Sequence, residues 1–83
     1  MHTGFGTSIG FDLARTDRVS LRVYDVGGRL VATLIDGRTL AAGNHRAEWD
    51  GRDASGTPAR AGLYLYRLGV GPASETRRMV LTR

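Results

Sequence analysis

Apolar and polar residues alternate one by one along most of this chain, in short runs separated by glycine and aspartate. In the first run Ile9, Phe11 and Leu13 are apolar, and the residues between them are polar or small. A period of two residues places the apolar side chains on one face of a β-strand, whereas a helix needs a period near 3.6. Since no segment sustains the helical period, the sequence predicts an all-β chain.

Six runs of this kind are recognisable, and glycine-rich or aspartate-rich turns bound them. We predict strands over residues 7–14, 19–25, 29–35, 44–49, 63–70 and 75–82. Asp25 to Gly28 supplies the glycines of a tight reversal between the second and third strands. Asp36-Gly37 is predicted to end the third strand. Residues 50–61 are rich in Gly, Asp and Ser, which favours a long irregular crossover between two sheets.

Turns at spacings of about 8 to 12 residues indicate an immunoglobulin-like antiparallel β-sandwich of six to seven strands. Gly62-Leu-Tyr-Leu-Tyr66 matches the Gly-x-Tyr-x-Cys portion of an immunoglobulin strand, with Tyr64 as the tyrosine-corner residue and Tyr66 in the cysteine position. The chain has no cysteine, so there is no disulfide, and we expect Tyr66 to pack against Trp49 instead. The predicted core contains Phe11, Leu21, Val23, Trp49, Tyr64 and Tyr66. With 83 residues and no repeat or linker, residues 1–83 form a single domain.

The order of several motifs resembles a known family. The segments that carry the resemblance are Phe5–Leu13, Val19–Asp25, Gly28–Leu34, Trp49–Gly56, Gly62–Leu68 and Arg78–Leu81. They are similar to the Ig-like module of the flagellar hook-capping protein (FlgD) and to the C-terminal sorting domains of type IX secretion cargo. His2-Thr3-Gly4 replaces the usual Asn-Pro, and Arg78 replaces the usual lysine.

This resemblance implies a non-catalytic domain at the C-terminus of a larger protein that is secreted or displayed at the cell surface. One hypothesis is a module for export, sorting or surface anchoring of that parent. The alternative is a structural assembly module, comparable to a hook-cap scaffold or a surface filament subunit. In either case the partner is a protein, either the export machinery or neighbouring subunits.

Charge and hydropathy bear on other partners. The formal net charge is +4, and the excess of arginine lies in residues 60–83, where five arginines accompany only Glu75. We interpret this excess as a solubilising surface, because aromatic residues interleaved with basic ones on one face are missing, and we predict no nucleic-acid partner. The longest apolar stretch, residues 30–35, is too short for a membrane span.

Groups suited to catalysis are scarce. Lysine and cysteine are absent, and the histidines are His2 near the terminus and His45 on a predicted strand, where a packed or rim position is favoured. We therefore predict no enzyme activity, catalytic residue or cofactor. Asp50 and Asp53 are a candidate calcium pair, but their spacing does not match an EF-hand loop, and turn-capping aspartates are the favoured interpretation.

The last strand is the remaining candidate for recognition. If it lies at a sheet edge, its free backbone groups could pair with a partner strand, and its arginines offer forks for acidic groups. We hypothesise that the recognised segment comprises Arg77, Arg78, Met79, Val80 and Arg83. The competing interpretation is an ordinary closing strand.

Overall fold

A computed structural model describes residues 7–82 of the chain. In that part of the chain six strands form two antiparallel sheets. The strands are β1 (Thr7–Leu13), β2 (Asp17–Asp25), β3 (Leu30–Leu40), β4 (Gly43–Trp49), β5 (Gly62–Val70) and β6 (Ala73–Leu81). The prediction of an all-β, immunoglobulin-like sandwich without a disulfide is confirmed.

The two sheets differ in width. One contains only β1 and β4, and the other contains four strands in the order β3-β2-β5-β6. The connection over residues 50–61 leads from β4 in the narrow sheet to β5 in the wide one, as the crossover prediction requires. Within residues 7–82, no helix has the length and hydrophobicity needed to cross a membrane.

The third strand differs from its prediction. Asp36-Gly37 does not end β3, which continues to Leu40 and pairs with the beginning of β2. The register shifts between Val19 and Leu21, and Gly37 has a φ of 63°. The Gly37 N–H donates to Ser20 Oγ at 3.2 Å. The dipeptide that favours a turn therefore forms a β-bulge, in which glycine provides the left-handed backbone conformation.

Alternating side chains from both sheets fill the space between them. On β2, Val19, Leu21 and Val23 are completely buried, and on β1 Phe11 is 9 % exposed. The buried residues form two clusters, one around Leu21 and Phe11 and the other around Val23 and Trp49. Within residues 7–82 no buried residue is polar or charged, so apolar packing supplies the core.

The predicted pairing of Trp49 with Tyr66 is wrong. Trp49 contacts Tyr64 instead, with ring centroids 5.2 Å apart and planes inclined by 72°. Tyr66 is half-buried and packs against the cluster that contains Phe11 and Leu21. Tyr64 and Tyr66 share a face of β5 but lie two residues apart along it, and only Tyr64 is level with the end of β4. The tyrosine-corner assignment agrees with the structure, because the Tyr64 hydroxyl donates to Arg60 O at 2.7 Å.

Candidate recognition edge

The last strand, β6, lies at an edge of the four-stranded sheet. It pairs along its whole length with β5, from Gly62 opposite Leu81 to Val70 opposite Ala73. Its other side has no partner strand among residues 7–82. A row of backbone N–H and C=O groups on that side is therefore free to bind another chain.

The turn before β6 determines which amides belong to this free row. Gly71 and Pro72 are the two residues between paired Val70 and Ala73, and Gly71 has a φ of 56°. A positive φ followed by proline fits a type II′ hairpin turn, whose flanking residues are hydrogen-bonded to each other. Along the strand, residues whose N–H groups bond to β5 alternate with residues whose N–H groups point away from it. The N–H groups that point away from β5 are those of Ser74, Thr76, Arg78 and Val80.

An ion pair lies on the inner side of the edge. Both Nε and Nη2 of Arg77 donate to Glu75 Oε2, at 3.0 and 2.7 Å. The pKa of the Arg77 guanidinium is raised above its ordinary value. These hydrogen bonds are the largest cause, and the negative charge of Glu75 is the second. Both side chains line an open groove of about 280 Å³ between β6 and β1. The side chains of Arg77 and Glu75 are 62 % and 57 % exposed, so the narrow sheet does not cover this part of β6.

The predicted recognition segment is divided between two faces. Arg77 lies opposite Tyr66 and faces the inner layer, whereas Arg78 lies opposite Leu65 and faces outward. Met79 is half-buried against both core clusters, and Val80 is 61 % exposed on the outer face. Arg83 lies outside the described residues. The structure thus places Arg78 and Val80 together on one surface and separates them from Arg77 and Met79.

Asp50 and Asp53 use their carboxylates within the connection between the sheets. Asp50 Oδ1 accepts a hydrogen bond from the Arg52 N–H at 3.0 Å. Asp53 Oδ1 accepts from the N–H groups of Ser55 and Thr57 at 2.9 and 3.0 Å, and from Ser55 Oγ at 2.7 Å. These bonds lower the pKa of Asp53 below its ordinary value, and the bond from the Ser55 hydroxyl has the largest effect. Desolvation acts in the opposite direction but does not outweigh them. The geometry supports turn caps rather than a calcium pair.

The same connection explains why Trp49, Asp50 and Gly51 follow one another in the sequence. The Trp49 indole N–H donates to Arg52 O at 2.9 Å, and the Ala59 N–H donates to Gly51 O at 2.7 Å. Gly51 is buried with a φ of 78°, a conformation that a residue with a side chain rarely adopts. The motif therefore anchors the connection to the core.

His45 is a packed side chain. Its ring stacks on Phe11 with centroids 5.6 Å apart, and its Nε2 lies 2.6 Å from Ala41 O. In the part of the chain that the structure describes, no three His, Cys, Asp or Glu side chains are grouped as metal ligands.

Apolar residues on the outer face of the wide sheet are not among the residues predicted for recognition. Leu30 and Leu63 are 50 % and 44 % exposed there, with Leu30 opposite Tyr24 and Leu63 opposite Val80. The sequence of β5 already indicates them. Leu63 and Leu65 alternate with Tyr64 and Tyr66, so large apolar or aromatic side chains lie on both faces of this strand. A strand with apolar residues on both of its faces has no face made only of polar, solvated side chains.

Comparisons with known proteins agree with this fold. The chain matches the family described as the FlgD Ig-like domain over residues 3–70. It is also similar to the crystal structure of FlgD from P. aeruginosa, with a TM-score of 0.71 and 26 % sequence identity. That match covers 92 % of this chain and 58 % of the other, so the chain spans little more than half the length of that protein. No match was found among curated protein sequences. Since β6 begins after residue 70, the family match does not include the candidate edge.

Proposed function

Because the chain belongs to the FlgD Ig-like domain family, we propose that it is a non-catalytic structural module, related to the hook cap, that assembles with protein neighbours. The observation that carries this proposal is the open edge of β6, a nine-residue strand whose outer side has no partner among residues 7–82. A neighbouring chain that adds a strand there gains backbone hydrogen bonds without any rearrangement of the sandwich.

The side chains of β6 restrict the neighbour. Arg77 and Arg78 place positive charge on both faces of the edge, and only Arg77 has an acidic partner within the strand. Two β6 edges paired in a register centred on Arg77 or Arg78 would oppose arginine to arginine, which disfavours self-pairing of the edge in those registers, whereas an acidic or neutral edge meets no such repulsion in any register. We therefore infer a heterologous contact, in which β6 meets a different, acidic or neutral edge of the next subunit. Contacts of this type produce rings or filaments.

Sedimentation of the purified chain across a wide range of concentration tests the proposal. We expect reversible self-association by the wild type and its loss in Thr76→Pro. Proline removes one outward N–H without removing a bond to β5, and edge strands tolerate it. Thr76→Val is the matched control, because it changes the same side chain but keeps the N–H. Thermal unfolding of both variants checks that the fold is intact.

A chain that stays monomeric at every concentration would contradict assembly from like subunits. That result would favour the second candidate, a module for export, sorting or anchoring of a larger secreted or surface protein. The observation that favours this candidate is that the outer backbone edge of β6 has no partner strand among residues 7–82, so a receptor could pair with it. In that case Thr76→Pro in the parent protein would prevent surface delivery and Thr76→Val would not.

A further inference from the structure

The outer face of the wide sheet, which is turned away from β1 and β4, carries large apolar side chains at one end. Tyr24 lies opposite Leu30 on β3 and opposite Leu65 on β5, and Leu63 lies opposite Val80 on β6. Residues opposite each other in an antiparallel pair project from the same face. These five side chains therefore form one surface, the outer apolar patch, which crosses all four strands over about 14 Å.

The outer apolar patch is accessible. Leu30, Leu63 and Val80 are 50 %, 44 % and 61 % exposed, and Tyr24 and Leu65 are half-buried. Within residues 7–82 the remaining exposed large apolar residue is Val26, in the turn that follows β2 at the same end of the sheet. Exposed apolar side chains scattered singly need no explanation, but their concentration at one end of one sheet marks an interaction surface.

Arginines border the outer apolar patch. Arg78 lies opposite Leu65, and Arg22 and Arg67 lie opposite each other in the adjacent row. Arg22 is paired with Asp36 at 3.0 Å, whereas Arg67 and Arg78 form no ion pair with any residue between 7 and 82. Like charges directly opposite each other on a sheet repel, so the Arg22–Arg67 pair does not stabilise the contact between β2 and β5.

We propose that the outer apolar patch docks a protein segment that presents apolar side chains beside carboxylates. Such a segment covers the exposed aliphatic groups, and its carboxylates bind the guanidinium forks of Arg67 and Arg78. A second copy of the same patch does not fit, because it would oppose arginine to arginine. The aliphatic side chains favour a protein over a single-stranded nucleic acid, whose bases stack on exposed aromatic side chains.

This surface goes beyond the proposed assembly function. The β6 edge would bind a partner through free backbone groups. The patch lies on a sheet face, where the backbone groups point toward neighbouring strands and not toward solvent, so it can bind only through side chains. The two surfaces can therefore be disrupted separately.

Nuclear magnetic resonance titration with two synthetic amphipathic peptides tests the proposal. One peptide combines leucine with glutamate, and the other has lysine in place of each glutamate. We expect the glutamate peptide to shift the amide signals of Tyr24, Leu30, Leu63, Leu65 and Val80, and the lysine peptide to leave them unchanged. The double variant Leu63→Thr/Val80→Thr should weaken binding by about tenfold or more, since it removes two apolar side chains from the contact.

Matched variants separate the charge effect from general destabilisation. Arg78→Glu should abolish binding of the glutamate peptide and permit binding of the lysine peptide. Arg46→Glu introduces the same charge change on the narrow sheet and should leave binding unchanged. Thr76→Pro should also leave it unchanged, so a failure of the edge proposal is distinguishable from a failure of this one.

Four results would overturn the proposal. The glutamate peptide could cause no shift, or both peptides could cause equal shifts. The same amides could shift with protein concentration alone, which would make a second copy the occupant. An oligothymidylate could displace the glutamate peptide at physiological salt, which would make the surface a nucleic-acid site.

Discussion

At the scale of single residues, two aromatic side chains tie the irregular connection to the core. The Trp49 indole N–H donates to Arg52 O near the beginning of the connection, and the Tyr64 hydroxyl donates to Arg60 O near its end. The rings of Trp49 and Tyr64 also contact each other edge to face. One aromatic pair therefore fixes both ends of the crossover, and it also links the narrow sheet to the wide sheet, as the inter-sheet disulfide does in immunoglobulin domains.

Removal of the Tyr64 hydroxyl should destabilise the domain. Tyr64→Phe leaves Arg60 O without its donor in a partly buried position, and we expect the free energy of unfolding to fall by about 1–2 kcal/mol. Tyr66→Phe is the control, because among residues 7–82 the structure shows no hydrogen-bond partner for that hydroxyl, and it should change stability by less than about 0.5 kcal/mol. Urea denaturation of both variants measures the difference, and equal losses would refute the assignment of Tyr64 as the corner.

Asp53 should make stability depend on pH in the acid range. Its pKa is lower in the folded chain than the ordinary 3.8, because the Ser55 hydroxyl and nearby N–H groups bond its carboxylate. The unfolded chain therefore binds the proton more readily, and the contribution of Asp53 is present above the ordinary pKa and disappears as pH falls through the lower folded value. Between pH 5 and pH 2 the wild type should lose more stability than Asp53→Asn in urea denaturation. Parallel losses in the two proteins would show that Asp53 contributes nothing.

At the scale of elements, the bulge in β3 shapes the edge of the wide sheet opposite β6. Gly37 has a φ of 63°, and a Cβ built there would lie 2.9 Å from Arg18 Nη2. The bulge lets β3 continue beyond Asp36, so that residues 38–40 still pair with β2.

Gly37→Ala should therefore lower the free energy of unfolding by about 1–2 kcal/mol, the cost of a left-handed conformation for an L-residue. Gly10→Ala on β1 is the control, since its added Cβ meets nothing nearer than His45 O at 3.9 Å and should change stability by about 0.5 kcal/mol or less. Thermal or urea unfolding measures both effects. An effect at position 37 as small as that at position 10 would mean that the bulge is absent in solution.

Alternation predicted all six strands, most clearly β1 and β2, which bury alternate residues that a strand slipped by one residue would expose. It could not predict the bulge at Gly37, since an Asp-Gly pair favours a hairpin turn until the pairing of residues 38–40 with β2 is known. The partner of Trp49 was mispredicted for a similar reason. Tyr64 and Tyr66 lie on the same face of β5, and only the relative position of the two sheets decides which ring contacts the indole of Trp49.

At the scale of the whole molecule, the unequal widths of the sheets determine where the surface is open. Grooves of about 280 and 230 Å³ lie on the two sides of the narrow sheet, one between β1 and β6 and the other between β4 and β3. The wide sheet also ends at two edge strands, β3 and β6. Strand order and sheet width depend on pairings between distant segments, which the local pattern of the sequence does not encode.

The candidate site was partly predictable. The structure places β6 at a sheet edge, which is the condition that the recognition hypothesis set, and it divides Arg77 and Arg78 between the groove and the outer face, so each arginine can meet a different partner. The outer apolar patch was not predicted, because its members come from β2, β3, β5 and β6 and are adjacent only in the folded sheet.

Amide hydrogen exchange along β6 tests most directly whether this strand is an open edge. The account predicts slow exchange at Glu75, Arg77 and Met79, whose N–H groups bond to β5, and fast exchange at Ser74, Thr76, Arg78 and Val80, whose N–H groups point outward. Equal protection at both sets of amides in the monomeric chain would contradict it, because the edge would then be covered and unavailable to a neighbour.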